Sequence, residues 1–200
     1  MNEQIKRNLL RNDIIGKVLF SSEDIQKKVV ELGNKITEDY IGKDLILISV
    51  LRGGIIFLTD LIRHIDLEIC LDIMSISTYG IGESSTGVVR ITKDLEDPIE
   101  GKDVLVVEDI IDTGLTISYL MRTLKARYPK SLEICTLIDR DVRRITDIKI
   151  KYVGFNIGEN YIVGYGLDYK QKFRNLNAIH ELKIDAVKKD IESIKNSSTS

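Results

Sequence analysis

Cysteine, histidine and proline are scarce in this chain, and each scarcity narrows the field. The two cysteines, Cys70 and Cys135, lie far apart and outside any C-x-x-C spacing, so no metal or redox motif is built on them. Both read as small buried apolar residues in a reducing compartment. His64 and His180 are isolated, and no Cys–His or Ser–His–Asp pattern is readable, which removes the common nucleophile and zinc chemistries. His64 reads as an ordinary helix-face or interface residue. Only Pro98 and Pro129 punctuate the chain, and there is no internal repeat. No basic block is denser than "RDVRR" at 140–144, and a net charge of −2 argues against a chain that coats nucleic acid. The start, "MNEQIKRNLL", lacks the apolar core of a signal peptide, and no apolar run is long enough to span a bilayer. A cytoplasmic protein without nucleic-acid or membrane partners is expected.

What is present suits one compact domain, with 43% apolar and 30% charged residues over 200 positions. Ser21 and Ser22 followed by Glu23 and Asp24 mark a helix start. Ile25, Val29, Leu32, Ile36 and Tyr40 then recur at helical spacing, which predicts an amphipathic helix over 23–40. The continuous apolar run "DLILISVL" (44–51) predicts a strand covered on both faces, and "IIFLTDLIRHI" (55–65) the helix after it. Further strands are expected at 69–77, 88–93, 103–107, 132–138, 151–155 and 161–165, with a helix at 114–127. Residues 78–87, rich in Gly, Ser and Thr, read as a mobile loop, and the tail "KNSSTS" as disordered. Strands alternating with helices imply an α/β fold with a mainly parallel sheet between helical layers.

The stretch "VLVVEDIIDTGLT" (104–116) carries the chemistry. Four apolar residues of a buried strand run into Glu108 and Asp109, and Asp112 follows beside Thr113 and Gly114. Ligands of open α/β sheets bind beyond the carboxyl ends of the strands. The helix beginning near Gly114 offers N–H groups and a dipole suited to phosphate, with Thr113 and Thr116 adding hydroxyls. Asp112 alone could simply cap a helix. The adjacent pair needs more, because crowded carboxylates repel unless a cation or hydroxyl donors offset them. Magnesium and the hydroxyls of a sugar meet that need.

This stretch resembles the phosphoribosyl-diphosphate (PRPP) signature of the type I phosphoribosyltransferases, in the form found in hypoxanthine–guanine phosphoribosyltransferases. The similarity runs from about Leu9 to Asn177. It implies the type I phosphoribosyltransferase fold as a single domain over 1–196, with a small hood from the N-terminal residues and about 150–190, a flexible active-site loop and a disordered 197–200. "SVLRGGIIF" (49–57) resembles the pyrophosphate loop, which implies that Arg52, Gly53 and Gly54 hold diphosphate around a non-proline cis peptide after Leu51. By itself "RGG" is also a sufficient strand-to-helix turn. "STYGIGESSTG" (77–87) resembles the closing loop, with Thr78 and Tyr79 where the family usually has Ser-Tyr; alone it would pass for an exposed hairpin connection.

By the same resemblance Glu108, Asp109, Asp112, Thr113, Gly114, Leu115 and Thr116 bind PRPP and its phosphate, and Glu108 and Asp109 lie near magnesium. In "YIVGYGLDYKQKFRNL" (161–176), Tyr161 would stack on the purine and Ile162 touch its edge. Asp168 would lie near the exocyclic position and a second magnesium, and Arg174 would reach diphosphate. Singly, Tyr161 is more often core and Arg174 more often a surface charge; the shared order of the segments favours the family. One departure stands out. Where family members commonly carry a Lys that hydrogen-bonds the purine 6-oxygen, "LIDRDVRR" offers Arg140, which can donate but is longer and stays charged.

The implied reaction transfers phosphoribosyl from PRPP to N9 of hypoxanthine or guanine, with Mg2+ as cofactor, Asp112 as proton acceptor toward N7, and a homodimer or homotetramer as the working form. Three other readings stay open: a xanthine-preferring sister enzyme, a nucleotide-sensing RNA-binding regulator on the same fold, and a structural domain with decayed catalysis.

Overall fold

The computed structural model describes residues 14–79 and 88–185. Within it the chain divides into two compact units. Among the described residues, one comprises Gln26–Glu159, and the other joins 14–25 with 160–185.

The larger unit is built on a six-stranded sheet. Its strands are β2 (Leu45–Leu51), β3 (Ile69–Tyr79), β4 (Val88–Lys93), β5 (Asp103–Ile111), β6 (Ser131–Asp139) and β7 (Tyr152–Asn156), in the order β4-β3-β2-β5-β6-β7. Every pairing is parallel except that of β3 with β4. Alternate side chains of a strand serve opposite faces. Ile46, Ile48 and Val50 of β2 join Val104 and Val106 of β5 against Ile117, Leu120 and Leu124 of helix α3 (Leu115–Lys125). Leu45 and Leu47 lie on the other face, toward which helix α2 (Gly54–Leu61) turns Phe57, Leu58 and Leu61. Burial on both faces explains why these strands read as unbroken apolar runs.

Helix α1 (Ser22–Tyr40) begins as the sequence predicts. Ser21 Oγ accepts from the Asp24 N–H at 3.1 Å, and Asp24 Oδ2 accepts from the Ser21 N–H at 3.2 Å, a reciprocal cap that satisfies two otherwise orphaned donors. The five residues at helical spacing, Ile25 to Tyr40, are all buried, none above 3% exposed. His64, in the short 3-10 turn after α2, packs so closely on Gly33 of α1 that a Cβ there would lie 2.6 Å from its Cβ.

In the smaller unit β1 (Ile15–Phe20), β9 (Ile179–Leu182) and β8 (Ile162–Val163) form an antiparallel sheet in that order, over a core of Ile14, Val163 and Leu182.

Several expectations need correction. Strand β5 runs to Ile111 rather than ending at 107, because β6 continues the ladder through Ile110↔Ile138 and Ile111↔Asp139 after β2 has stopped pairing at Val107. Glu108 and Asp109 therefore stand on the strand, not in a loop. Cys70 is exposed, whereas Cys135 is buried. Cys70 lies in the first part of β3, which β4 does not reach because its pairing begins at Ser75. The helices are shorter than expected at their carboxyl ends, α2 giving way to the 3-10 turn Ile62–His64 and α3 stopping at Lys125. Thr78 and Tyr79 are the last residues of β3, while the remainder of the expected loop, 80–87, and the tail lie outside the described residues.

Leu120→Ala should test the α3 face of the core directly. Leu120 is fully buried, so loss of its side chain is expected to cost ~2–5 kcal/mol in denaturant unfolding. A loss below about 1 kcal/mol would mean this face collapses around the gap and is not tightly packed.

Candidate active site

Strand order dictates where a ligand can enter. From β2 the chain moves outward to β3 and β4, then returns to β5 on the other side of β2 and continues outward to β6 and β7. The neighbouring parallel strands β2 and β5 are thus the point where the winding reverses, and a crevice opens beyond their carboxyl ends. They run in register from Leu45↔Asp103 to Ser49↔Val107, so the segments that follow emerge side by side. A cavity of about 250 Å³ lies there, lined by residues 50–53 from β2 and by 108–114, Thr116 and Ile117 from β5 and α3.

On the β2 side the Leu51–Arg52 peptide is cis, Arg52 is exposed, and Gly53 caps α2. A Cβ at Gly54 would stand 2.5 Å from Ser49 Oγ and 3.2 Å from the Val107 carbonyl oxygen. Only glycine lets the start of α2 settle onto both strands. On the β5 side Gly114 has φ +86°, a conformation L side chains rarely adopt, and directly precedes α3. Thr113, Leu115 and Thr116 are exposed around it.

The three acids differ in their surroundings. Glu108 is partly buried and has no cationic partner among the described residues; burial, then the charge of Asp109, hold its carboxyl well above the ordinary range. The Asp109 carboxylate accepts from the Ile110 N–H at 2.9 Å. Asp112, by contrast, is gripped by arginines: its Oδ2 is 3.1 Å from Arg140 Nη1 and 3.8 Å from Arg143 Nη1. Arg140 is only 4% exposed, so the predicted base-reading side chain is seated against Asp112 beside the cavity.

No group of three or more His, Cys, Asp or Glu side chains forms a metal cage among the described residues. Magnesium does not need one, since it binds through one or two carboxylates plus water and substrate phosphate. Adjacent hard oxygen donors, one of them a half-buried carboxylate lacking any cation, fit that ion.

The remaining predicted residues belong to the smaller unit. Tyr161 is 46% exposed, and Ile162 is buried on β8. Asp168 and Arg174 are brought together, Oδ1 to Nη2 at 2.6 Å, and Arg174 Nη1 donates to the Gly166 carbonyl at 2.6 Å. Positive φ at Gly164, Tyr165, Gly166, Lys170, Gln171 and Phe173 folds this segment into tight turns.

Sequence reasoning passed over Arg143, Arg144 and Asp139. Their signal was present in "DRDVRR" (139–144), from which only Arg140 was given a role. Two of its arginines, Arg140 and Arg143, are counter-charges to Asp112, and the third, Arg144, pairs with Asp139.

Fold and site together define an α/β protein with a crevice at the switch point of its sheet, edged by two glycine-containing helix starts and two adjacent carboxylates. The phosphoribosyl transferase domain family matches residues 18–170, and the chain belongs to that family, with the type I phosphoribosyltransferase fold. It is 47% identical over 175 residues to the hypoxanthine-guanine phosphoribosyltransferase of Bacillus subtilis, covering 88% of this chain and 97% of the relative. A hypoxanthine phosphoribosyltransferase structure from Staphylococcus aureus superposes with a TM-score of 0.84 at 46% identity, covering 88% and 96% of the two chains. A mutant hypoxanthine phosphoribosyltransferase from Trypanosoma cruzi, in a ternary substrates complex, gives 0.82 at 37% identity over 86% and 98%.

The position of Glu108 predicts a pH dependence. Its folded-state pKa is raised, so between its unfolded and folded values the native state holds more protons and stability falls as pH rises through that window. In the presence of a chelator, Glu108→Gln should raise Tm at neutral pH and bring less benefit as pH drops below the folded pKa. A Tm difference independent of pH would show that the carboxyl is not destabilised by its surroundings.

Proposed function

We propose that the protein is a purine salvage enzyme, a pentosyltransferase that moves 5-phosphoribosyl from PRPP to N9 of hypoxanthine or guanine and releases diphosphate. The observation that carries this reading is the pairing, around one cavity, of the Arg52–Gly54 turn with the Glu108–Gly114 segment. Two glycine-containing turns at helix starts, flanking two carboxylates, would suit a ligand with a phosphate at one end, a diphosphate at the other and a sugar diol between. Relatives named for this activity are matched over nearly their whole length.

In the reaction the C1′–O bond to diphosphate breaks as the N9–C1′ bond forms, and the purine gives up one proton. The Gly53 and Gly54 amides and the Arg52 guanidinium are assigned to the departing diphosphate, whose charge grows in the transition state. Thr113, Gly114, Leu115 and Thr116 hold the 5-phosphate at the start of α3. Glu108 and Asp109 orient the ribose hydroxyls and would hold Mg2+, directly or through water. When bound, the ion supplies charge neutralisation to the leaving group. Asp112 accepts the purine proton through N7, its carboxylate aimed by Arg140 and Arg143.

Arg140 donates to the 6-oxygen from the same guanidinium that holds Asp112, so base recognition and proton transfer share one side chain. In the smaller unit the resemblance assigns Tyr161 and Ile162 to the purine, Asp168 to the exocyclic position and a second magnesium, and Arg174 to diphosphate. Thr78 and Tyr79, the last residues of β3, are assigned by the same resemblance to the entry of the loop that excludes water. A homodimer or homotetramer in the cytoplasm is the proposed working form; among the described residues no helix is long and apolar enough to cross a membrane.

Turnover with PRPP, measured separately for hypoxanthine, guanine, xanthine and adenine, tests the proposal. Turnover of 6-oxopurines, none of adenine, and loss of activity with a chelator are expected; a folded protein inert toward every base would remove the enzymatic reading. Asp112→Asn should lower kcat by about 10²–10⁴-fold with little effect on PRPP binding. Arg140→Lys should change the ranking of the bases more than the KM for PRPP, and an unchanged ranking would take Arg140 out of base recognition.

A further inference from the structure

After β6 the chain does not leave the sheet. Residues 140–146 cross the end of β5 and bind it through three successive carbonyl groups. The Ile111 oxygen accepts from the Arg140 N–H at 3.0 Å, the Asp112 oxygen from Arg144 Nε at 3.0 Å, and the Thr113 oxygen from the Ile145 N–H at 3.0 Å. Arg144 Nη2 reaches the Ile111 oxygen as well, at 3.4 Å, and Thr146 Oγ1 reaches the Thr113 oxygen at 3.4 Å. The Arg144 guanidinium is itself aimed by an ion pair with Asp139, with both side chains 14% exposed. Its stem closes over Gly114, where a Cβ would come within 2.8 Å of Arg144 Cδ and overlap Thr146 Oγ1.

A trans peptide is planar, with the C=O of one residue antiparallel to the N–H of the next. Carbonyls of Ile111, Asp112 and Thr113 turned toward the Arg144 segment therefore turn the N–H groups of Asp112, Thr113 and Gly114 the opposite way. These same residues line the cavity, whereas Arg144 does not. We infer that Arg144 is a positioning residue for phosphate capture, a strut that fixes the carbonyls of 111–113 from behind so that the following amides present to PRPP. The inference rests on the reading of 112–116 as the phosphate turn. It assigns Arg144 no contact with substrate. A guanidinium suits the role because its planar fork can serve two carbonyls and a carboxylate at once, which an ammonium on a flexible stem cannot hold in one geometry.

Arg144→Met keeps much of the stem over Gly114 and deletes the fork. Calorimetric titration with PRPP, together with steady-state constants for PRPP and hypoxanthine and a thermal melt, separates the possibilities. Arg144→Met is expected to weaken PRPP by roughly tenfold or more while the hypoxanthine KM stays within about threefold and Tm changes little. Added guanidinium ion at millimolar concentration should recover part of the PRPP affinity, and Arg144→Lys should fall between Met and wild type. PRPP binding within about twofold of wild type would overturn the inference. So would a parallel loss for both substrates with a lowered Tm, which marks general loosening. If Arg144→Met does not fold, Thr146→Val removes a second hydrogen bond to the same turn; weaker PRPP binding with an unchanged hypoxanthine KM supports the strut, and unchanged PRPP binding overturns it. Failure of the wild-type protein to bind PRPP would instead sink the reading of the turn itself, and this inference with it.

Discussion

The parallel pairing of β2 with β5 is the constraint on which the site depends. Because the two strands are in register and the winding reverses between them, their carboxyl ends open side by side. A helix and two further strands intervene in the chain before these neighbours meet. Everything chemical in the larger unit then follows from what each strand places at its end. Gly54 belongs to that constraint as much as the acids do, since its lack of a side chain lets α2 start against Ser49 and the Val107 carbonyl.

Charge is distributed unevenly across this opening. Glu108 stands half-buried with another acid for a neighbour, a destabilising arrangement that the folded chain tolerates because the surrounding core is large. A few residues further on, Asp112 lies between two guanidiniums and Asp139 is paired with a third. One half of the site is thus poised for an external cation, and the other supplies its own. In the proposed reaction this asymmetry would separate the diol and metal side from the proton-transfer side, although all three groups are carboxylates. Truncating Asp112 would leave Arg140 buried beside a missing partner, a costlier change than removing an exposed acid.

Much of this was legible in the sequence because the signals were local. The apolar run at 44–51, the period of 23–40 and the glycine before α3 report the backbone directly. Cys70 was misread because exposure there depends on where a neighbouring strand begins, which no property of residue 70 reveals. Strand β5 was cut short because Glu108 and Asp109 look like loop residues until β6 is seen to carry the ladder past them. β1 and β9 escaped notice because "IGKVLF" interrupts its alternation with Gly16 and Lys17, and "IHEL" is only four residues long. The grip of Arg140 on Asp112 was hidden because the two residues lie 28 positions apart in the chain.

The antiparallel sheet of the smaller unit has a consequence for how the protein is made. Its middle strand, β9, pairs with β1 and β8, so β1 emerges from the ribosome long before its partner in that sheet is synthesised. All six strands of the larger sheet lie before residue 160 and can pair while β9 is still untranslated. During that interval β1 lacks the strand it pairs with in this sheet. Charged residues on an unpaired strand are a defence against wrong pairing, and Lys17, in the middle of β1, sits where that protection is needed.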